Sequence, residues 1–167
     1  MAEKSIEELE SMVGTSVVTV EDFAVEAGKV EEFARAVCDD NPAHRDVEAA
    51  REQGFDRVPA PLTFERVSSF PRYRTTEGRG IDLGFAQEYT IHGEQAYEYE
   101  RPLQVGDVLT GTTTLADVYQ REGSRGGTMT FAVLETEYAT QDGEVVLTAS
   151  STVIETGGAI QTEGDDD

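Results

Sequence analysis

Asp39 and His44 lie five positions apart in the stretch RAVCDDNPAHRD, which runs from Arg35 to Asp46. That stretch holds three acidic residues and one of only two histidines in the chain. General-base chemistry needs a group that titrates near neutrality within reach of a water, and a partner that holds the group or the water. An imidazole meets the first need and a carboxylate the second. The Asn41-Pro42 turn between them can fold back and bring both side chains to one point, with Asn41 orienting the loop or a water. Spacing alone does not decide for chemistry, because a solvated polar loop has the same composition.

Other candidates are weaker. His92 opens a strand after a loop and reads as a strand-end or interface residue. Cys38 reads as a small packed hydrophobe, the usual role of a free cysteine. No His, Cys and acidic residues share a metal-ligand spacing, so neither a metal nor any other cofactor is expected. GSRGG at 123–127 lacks the lysine and the following helix of a phosphate loop and reads as a hairpin turn. Arg101, Arg121 and Arg125 could meet anionic groups, but acidic partners surround them.

The elements around the pair alternate in character. SVVTVEDFAV, from residue 16, is extended. Val30, Phe33, Ala34 and Val37 then recur at helical spacing, and DDNP stops that helix because proline disfavours helix at the residue before it. Asp46 is placed to N-cap a short helix that Gly54 ends. Phe64, Leu62, Val67 and Phe70 in VPAPLTFERVSSF predict the most buried helix. Beyond the Gly-rich TEGRGIDLG come four alternating, β-branched segments, the last two joined by Asp142-Gly143, a strong hairpin signal. The order predicts an α+β fold with a central helix against a curved antiparallel sheet. Residues 1–11 form an N-terminal arm, residues 12–156 one domain and residues 157–167 a disordered acidic tail.

Composition bounds the partners. The 167 residues carry 34 acidic against 13 basic side chains, a net charge of −21. That balance excludes the basic footprint of nucleic-acid binding and disfavours an anionic membrane. There is no long apolar run and no leader pattern, which predicts a cytoplasmic protein. Self-repulsion at this charge density destabilises the compact state in dilute salt, and screening relieves it. A salt-adapted cytoplasm is the expected home. One cysteine excludes an intrachain disulfide framework.

The segment FARAVCDDNPAHRDVEAAREQGF, from Phe33 to Phe55, resembles the signature of the MaoC-like (R)-specific enoyl-thioester hydratases and dehydratases. VPAPLTF and HGEQAYEYERPLQVGDVLTGTTTLADVY resemble the branch related to fatty-acid-synthase dehydratase domains, including its RPL-x-x-GD turn. The resemblance spans roughly residues 12–156. It implies a hot-dog fold, a long central helix wrapped by a curved antiparallel sheet. It places Asp39 and His44 on the family's catalytic pair, holding one water that adds across the 2,3-double bond of an enoyl thioester, with the reverse dehydration of a 3-hydroxyacyl thioester. Asn41 and Pro42 support the loop. The family's glycine before the catalytic Asp is Cys38 here. Where simpler hydratases carry His-Gly at the start of the central helix, this chain reads PAPL. Prolines have no N–H, so the backbone donor to the thioester carbonyl is expected from Ala60 or Leu62.

Two other readings stay open. One is an acyl-binding subunit whose partner supplies the pair, which the intact Asp39 and His44 disfavour. The other is a hot-dog acyl-CoA thioesterase with Glu65 activating water, although Glu65 reads equally well as an exposed helix residue. An acidic acyl carrier protein would be repelled by this chain in low salt, which favours CoA as the carrier. An unpaired sheet edge predicts a homodimer or a heterodimer with a second hot-dog chain.

Overall fold

The computed structural model describes residues 3–76, 80–123 and 127–156. The expected acidic tail and Arg125 lie outside the described residues. Ser5 opens α1 (Ile6–Ser11) through a full capping box with Glu8, so the N-terminal arm is a short helix that buries Leu9. Strand β1 (Ser16–Ala24), helix α2 (Ala27–Ala36) and helix α3 (Val47–Glu52) follow, with a 3-10 turn at Pro42–His44 between the two helices. The long strands close the chain: β2 (Thr90–Tyr99), β3 (Val108–Gly123), β4 (Gly127–Thr140) and β5 (Val145–Glu155). All pairs are antiparallel, in the order β1-β3-β4-β5-β2.

The expected buried helix around residue 64 is shorter than its pattern suggests. Phe64–Ser69 forms a six-residue 3-10 helix. Phe64 and Val67 are buried as the apolar spacing requires, but Leu62 and Phe70 are exposed. Pro71 turns Phe70 out of the helix into an extended conformation, and Pro59 is drawn into a β-bridge with Gln104 at the other end.

One face of the sheet is the inside. Its cross-strand rows are set by the register: Gly111, Tyr138, Leu147 and Tyr99; then Thr113, Thr136, Ala149 and Tyr97; then Leu115, Leu134, Ser151 and Gln95; then Val118, Ala132, Val153 and His92. Two apolar clusters occupy the two ends of this face. The first joins Phe23, Val30, Phe64, Val67, Tyr73, Leu109, Tyr138 and Leu147. Its aromatic centre packs Phe23 against Phe64 at 5.9 Å and Tyr73 at 5.2 Å, with Phe33 edge-on to Phe64. Each fully buried ring of this kind contributes about 1.5–3 kcal/mol. The second cluster joins Leu9, Ile81, Leu83, Leu115, Val118, Ala132, Leu134 and Val153. Between them lie Thr113, Thr136 and Tyr97 of the second row and Ser151 and Gln95 of the third, a polar band. No described helix is long and apolar enough to cross a membrane.

Candidate active site

A helix ending places Asp39. After α2, Cys38 takes a left-handed φ of 58°. The chain reversal lets the Asp39 N–H donate to Ala34 O at 2.8 Å and the Cys38 N–H to Arg35 O at 3.2 Å. This pair of bonds is the Schellman closure, whose left-handed position glycine usually fills. Cys38 is exposed there rather than packed, which corrects the sequence expectation. The position asks for a backbone angle, not for a hydrophobe.

The 3-10 turn places His44. Asn41 caps it by accepting the Ala43 N–H at 3.1 Å, and Pro42 fills the first position, where a missing N–H costs nothing. Asn41 is braced in turn by Gln53, each side-chain amide donating to the other at 3.1 and 2.8 Å. Gln53 ends α3 just before Gly54, and nothing in its sequence context marks it. Asp46 caps α3 by accepting the Ala49 N–H at 2.8 Å, as its position predicts.

These turns bring the pair together. Asp39 Oδ1 accepts the Asn41 N–H at 3.0 Å, and Oδ2 lies 3.1 Å from His44 Nε2. His44 Nδ1 lies 2.7 Å from the Pro59 carbonyl oxygen. A carbonyl only accepts, so Nδ1 carries the proton. Nε2 and the carboxylate would then face each other as two acceptors unless one more proton sits between them. A hydrogen bond across this contact requires one proton between the two side chains, so they act as one unit. His44 is 9% exposed at its side chain and Asp39 36%, so the carboxylate is the side open to a water.

Pro59, noted in the sequence only for the N–H it lacks, acts through its carbonyl. Its strand-like segment is held by Val105 N–H to Val58 O at 2.9 Å and by the Ala60 N–H to Leu103 O at 2.8 Å. The buried Asp107 locks that ladder, accepting from Arg57 and Arg101 at 2.7 Å each and from the Gln104 N–H at 2.9 Å. Burial pushes the Asp107 carboxyl up, but Arg101, the Gln104 N–H and Arg57 outweigh it and hold it below the usual aspartate range. Arg101 is thus committed inside the fold.

The Ala60 N–H, one of the two expected carbonyl donors, is already spent on Leu103 O. The Leu62 N–H donates to no acceptor among the described residues, and the Tyr99 hydroxyl donates to Leu62 O. His92 is exposed on the edge strand β2, opposite Val153. Arg121 stacks over Tyr119 and Phe131. Glu65 is not an exposed helix residue: it is 4% exposed, with Tyr138 donating to it at 2.5 Å. Neither of its partners, Tyr138 and Ser68, stands out in the sequence.

Residues 11–149 match the family described as FAS1-like, dehydratase domain region. A UPF0336 protein of Saccharopolyspora erythraea is 33% identical over 157 residues, covering 94% of this chain and 97% of its own. Among solved structures, the chain is similar to the C-terminally truncated HadBC (3R-hydroxyacyl-ACP dehydratase) complex from Mycobacterium tuberculosis, 27% identical with a TM-score of 0.69, over 86% of this chain and 96% of that one. It is also similar to a MaoC-like dehydratase, 26% identical with a TM-score of 0.68, over 90% of this chain and 44% of that one. The sheet and its short helices are accordingly a hot-dog fold. The chain belongs to the FAS1-like dehydratase-region family, and its class of chemistry is that of a hydro-lyase.

Proposed function

We propose that the chain adds water across the 2,3-double bond of an enoyl thioester with (R) stereochemistry, and removes it from the 3-hydroxyacyl thioester in reverse. The observation that carries this reading is the 3.1 Å approach of His44 Nε2 to Asp39 Oδ2, with the carboxylate open to a water. A water held by the two side chains attacks C3 with its oxygen and gives its proton to the pair. The proton the pair already holds goes to C2. The pair ends the cycle with one proton, as it began, and no cofactor is called for. Charge builds on the thioester oxygen as C3 is attacked, and in this reading the Leu62 N–H, which donates to no acceptor among the described residues, meets it. Asn41 and Pro42 keep the turn in shape.

Charge favours CoA over an acyl carrier protein for this chain, since a carrier protein's acidic surface meets a net charge of −21. The similar HadBC assembly is an acyl-ACP dehydratase by its name, so the carrier is a point to measure. HadBC is also a complex, and β2 of this chain is a free edge with mostly exposed residues. A second hot-dog chain, identical or not, covers it in this reading. The test is the purified chain alone in molar KCl, with short and long enoyl-CoA and enoyl-carrier protein followed by enoyl absorbance, product chirality and light scattering. Conversion of an enoyl-CoA to the (R)-hydroxyacyl product by a dimer is expected. Thiol release without loss of the enoyl group would replace hydration by hydrolysis. Activity only after a second hot-dog chain is added would assign the chain to a heteromer.

A further inference from the structure

A cavity of about 360 Å³ opens between the 3-10 helix Phe64–Ser69 and the polar middle rows of the inner sheet face. Its walls are mostly hydrogen-bonding: Glu65, Ser68, Gln95, Thr113, Thr136 and Tyr138 among them. The threonines are already satisfied, Thr19 to Thr113 and Thr113 to Thr136 at 2.8 Å each. Glu65 is not. Its Oε1 accepts the Tyr138 hydroxyl at 2.5 Å, and Ser68 Oγ lies 2.9 Å from the same hydroxyl oxygen. Its Oε2 is buried and has no hydrogen-bond partner among the described residues. Gly111 makes this arrangement possible, because a Cβ there would sit 3.0 Å from Val20 and 3.1 Å from the Tyr138 ring. Burial and the neighbouring Glu65 carboxylate together push the Tyr97 hydroxyl up to about 12.

The 3-10 helix that lines the cavity follows closely in the chain on the segment that holds His44. Pro59, whose carbonyl meets His44 Nδ1, leads through Leu62 into that helix, whose Glu65 and Ser68 face the cavity. Resting on the hydratase reading above, we propose that this cavity receives the far end of the acyl group and that Glu65 selects chains bearing a hydroxyl there. An alkyl end would leave the Glu65 oxygen dry and unpaired, a cost that a hydrogen-bond donor removes. An ammonium is disfavoured because Arg66 and Arg74 line the same cavity, and neither forms an ion pair among the described residues.

The test compares three CoA thioesters: a short enoyl-CoA that ends before the cavity, a medium-chain alkyl enoyl-CoA and its terminally hydroxylated twin. Wild-type protein is expected to favour the hydroxylated twin over the alkyl one by about tenfold or more in kcat/KM, because a site built to bond a hydroxyl rejects the analogue lacking it. Glu65→Leu should erase or invert that ratio while leaving the short substrate's rate unchanged. Glu65→Gln, which keeps the shape and the Tyr138 contact, covers the case in which the leucine variant does not fold, and should reduce the ratio. Equal kcat/KM for the twins in wild type overturns the proposal. If no enoyl-CoA turns over, the hydratase reading has failed, and calorimetric binding of the saturated twins reads the cavity by itself. A similar preference lost in the Glu65 variants then supports hydroxyl selection, and equal affinities refute it.

Discussion

Asp39→Asn separates the shared-proton chemistry from the geometry that supports it. Asparagine keeps the Oδ1 that accepts the Asn41 N–H, so the turn stays capped and braced. Its amide nitrogen replaces Oδ2 and donates to His44 Nε2, while Nδ1 still donates to Pro59 O. His44 is then locked as a neutral imidazole with both nitrogens engaged, and no group is left to take a proton from water. Loss of a positioned general base costs 10²- to 10⁴-fold, about 3–5 kcal/mol of barrier. The assay is the initial rate of enoyl absorbance loss on a short enoyl-CoA in molar KCl, with the thermal midpoint as control. The expected outcome is a rate down by at least a hundredfold, an unchanged midpoint, and His44→Gln alone equal to the double variant, since the two groups act as one unit. A rate within threefold of wild type, or fully additive losses in the double variant, refutes the shared-proton reasoning.

Three other outcomes are expected. Cys38→Gly relieves about 1–2 kcal/mol of left-handed strain against about 0.5–1 kcal/mol of added chain entropy, so urea unfolding should show equal or slightly higher stability; a loss beyond that entropy cost would mean the thiol packs after all. Asp107→Asn removes the charge that Arg101 and Arg57 share and should lower stability by about 2 kcal/mol. Because the Asp107 carboxyl lies below its unfolded value, its contribution is complete above about pH 4 and fades as pH falls toward the folded value, so the wild-type advantage over this variant should shrink in acid melts and stay flat from pH 5 to 7. The thermal midpoint should rise from dilute buffer to molar salt and level off as the screening length approaches about 3 Å, alike in KCl and NaCl and not in sucrose; an equal midpoint in dilute buffer would remove the halophilic inference and the charge argument for CoA.

What the residues reveal in advance depends on whether the determinant is local. Asp46 as a cap, Asn41-Pro42 as a turn and the strand alternation of β3 to β5 are local, and each reads directly from residue type and spacing. The meeting of Asp39 with His44 is also local, five residues across one turn. The helix at Phe64 is shorter than its apolar spacing predicts because Pro71 holds Phe70 extended. The usual role of a cysteine predicts a packed Cys38, whereas its position is set by the backbone angle the helix ending needs. The Pro59 carbonyl, Gln53 and the Tyr138–Glu65 bond depend on residues 12 to 73 positions apart, which no window of sequence joins.

The belt of hydroxyls between the two apolar clusters acts as a seam. Strands β3, β4 and β5 run through both ends, so the whole sheet melts together, but each end has its own set of packed side chains. Opening of one end need not disturb the other. The end that carries Phe23, Phe64 and Tyr73 also carries the turn that joins Asp39 and His44, while Leu9, Ile81 and Leu115 stabilise the far end. Substitutions in that far cluster therefore cost stability without moving Asp39 or His44.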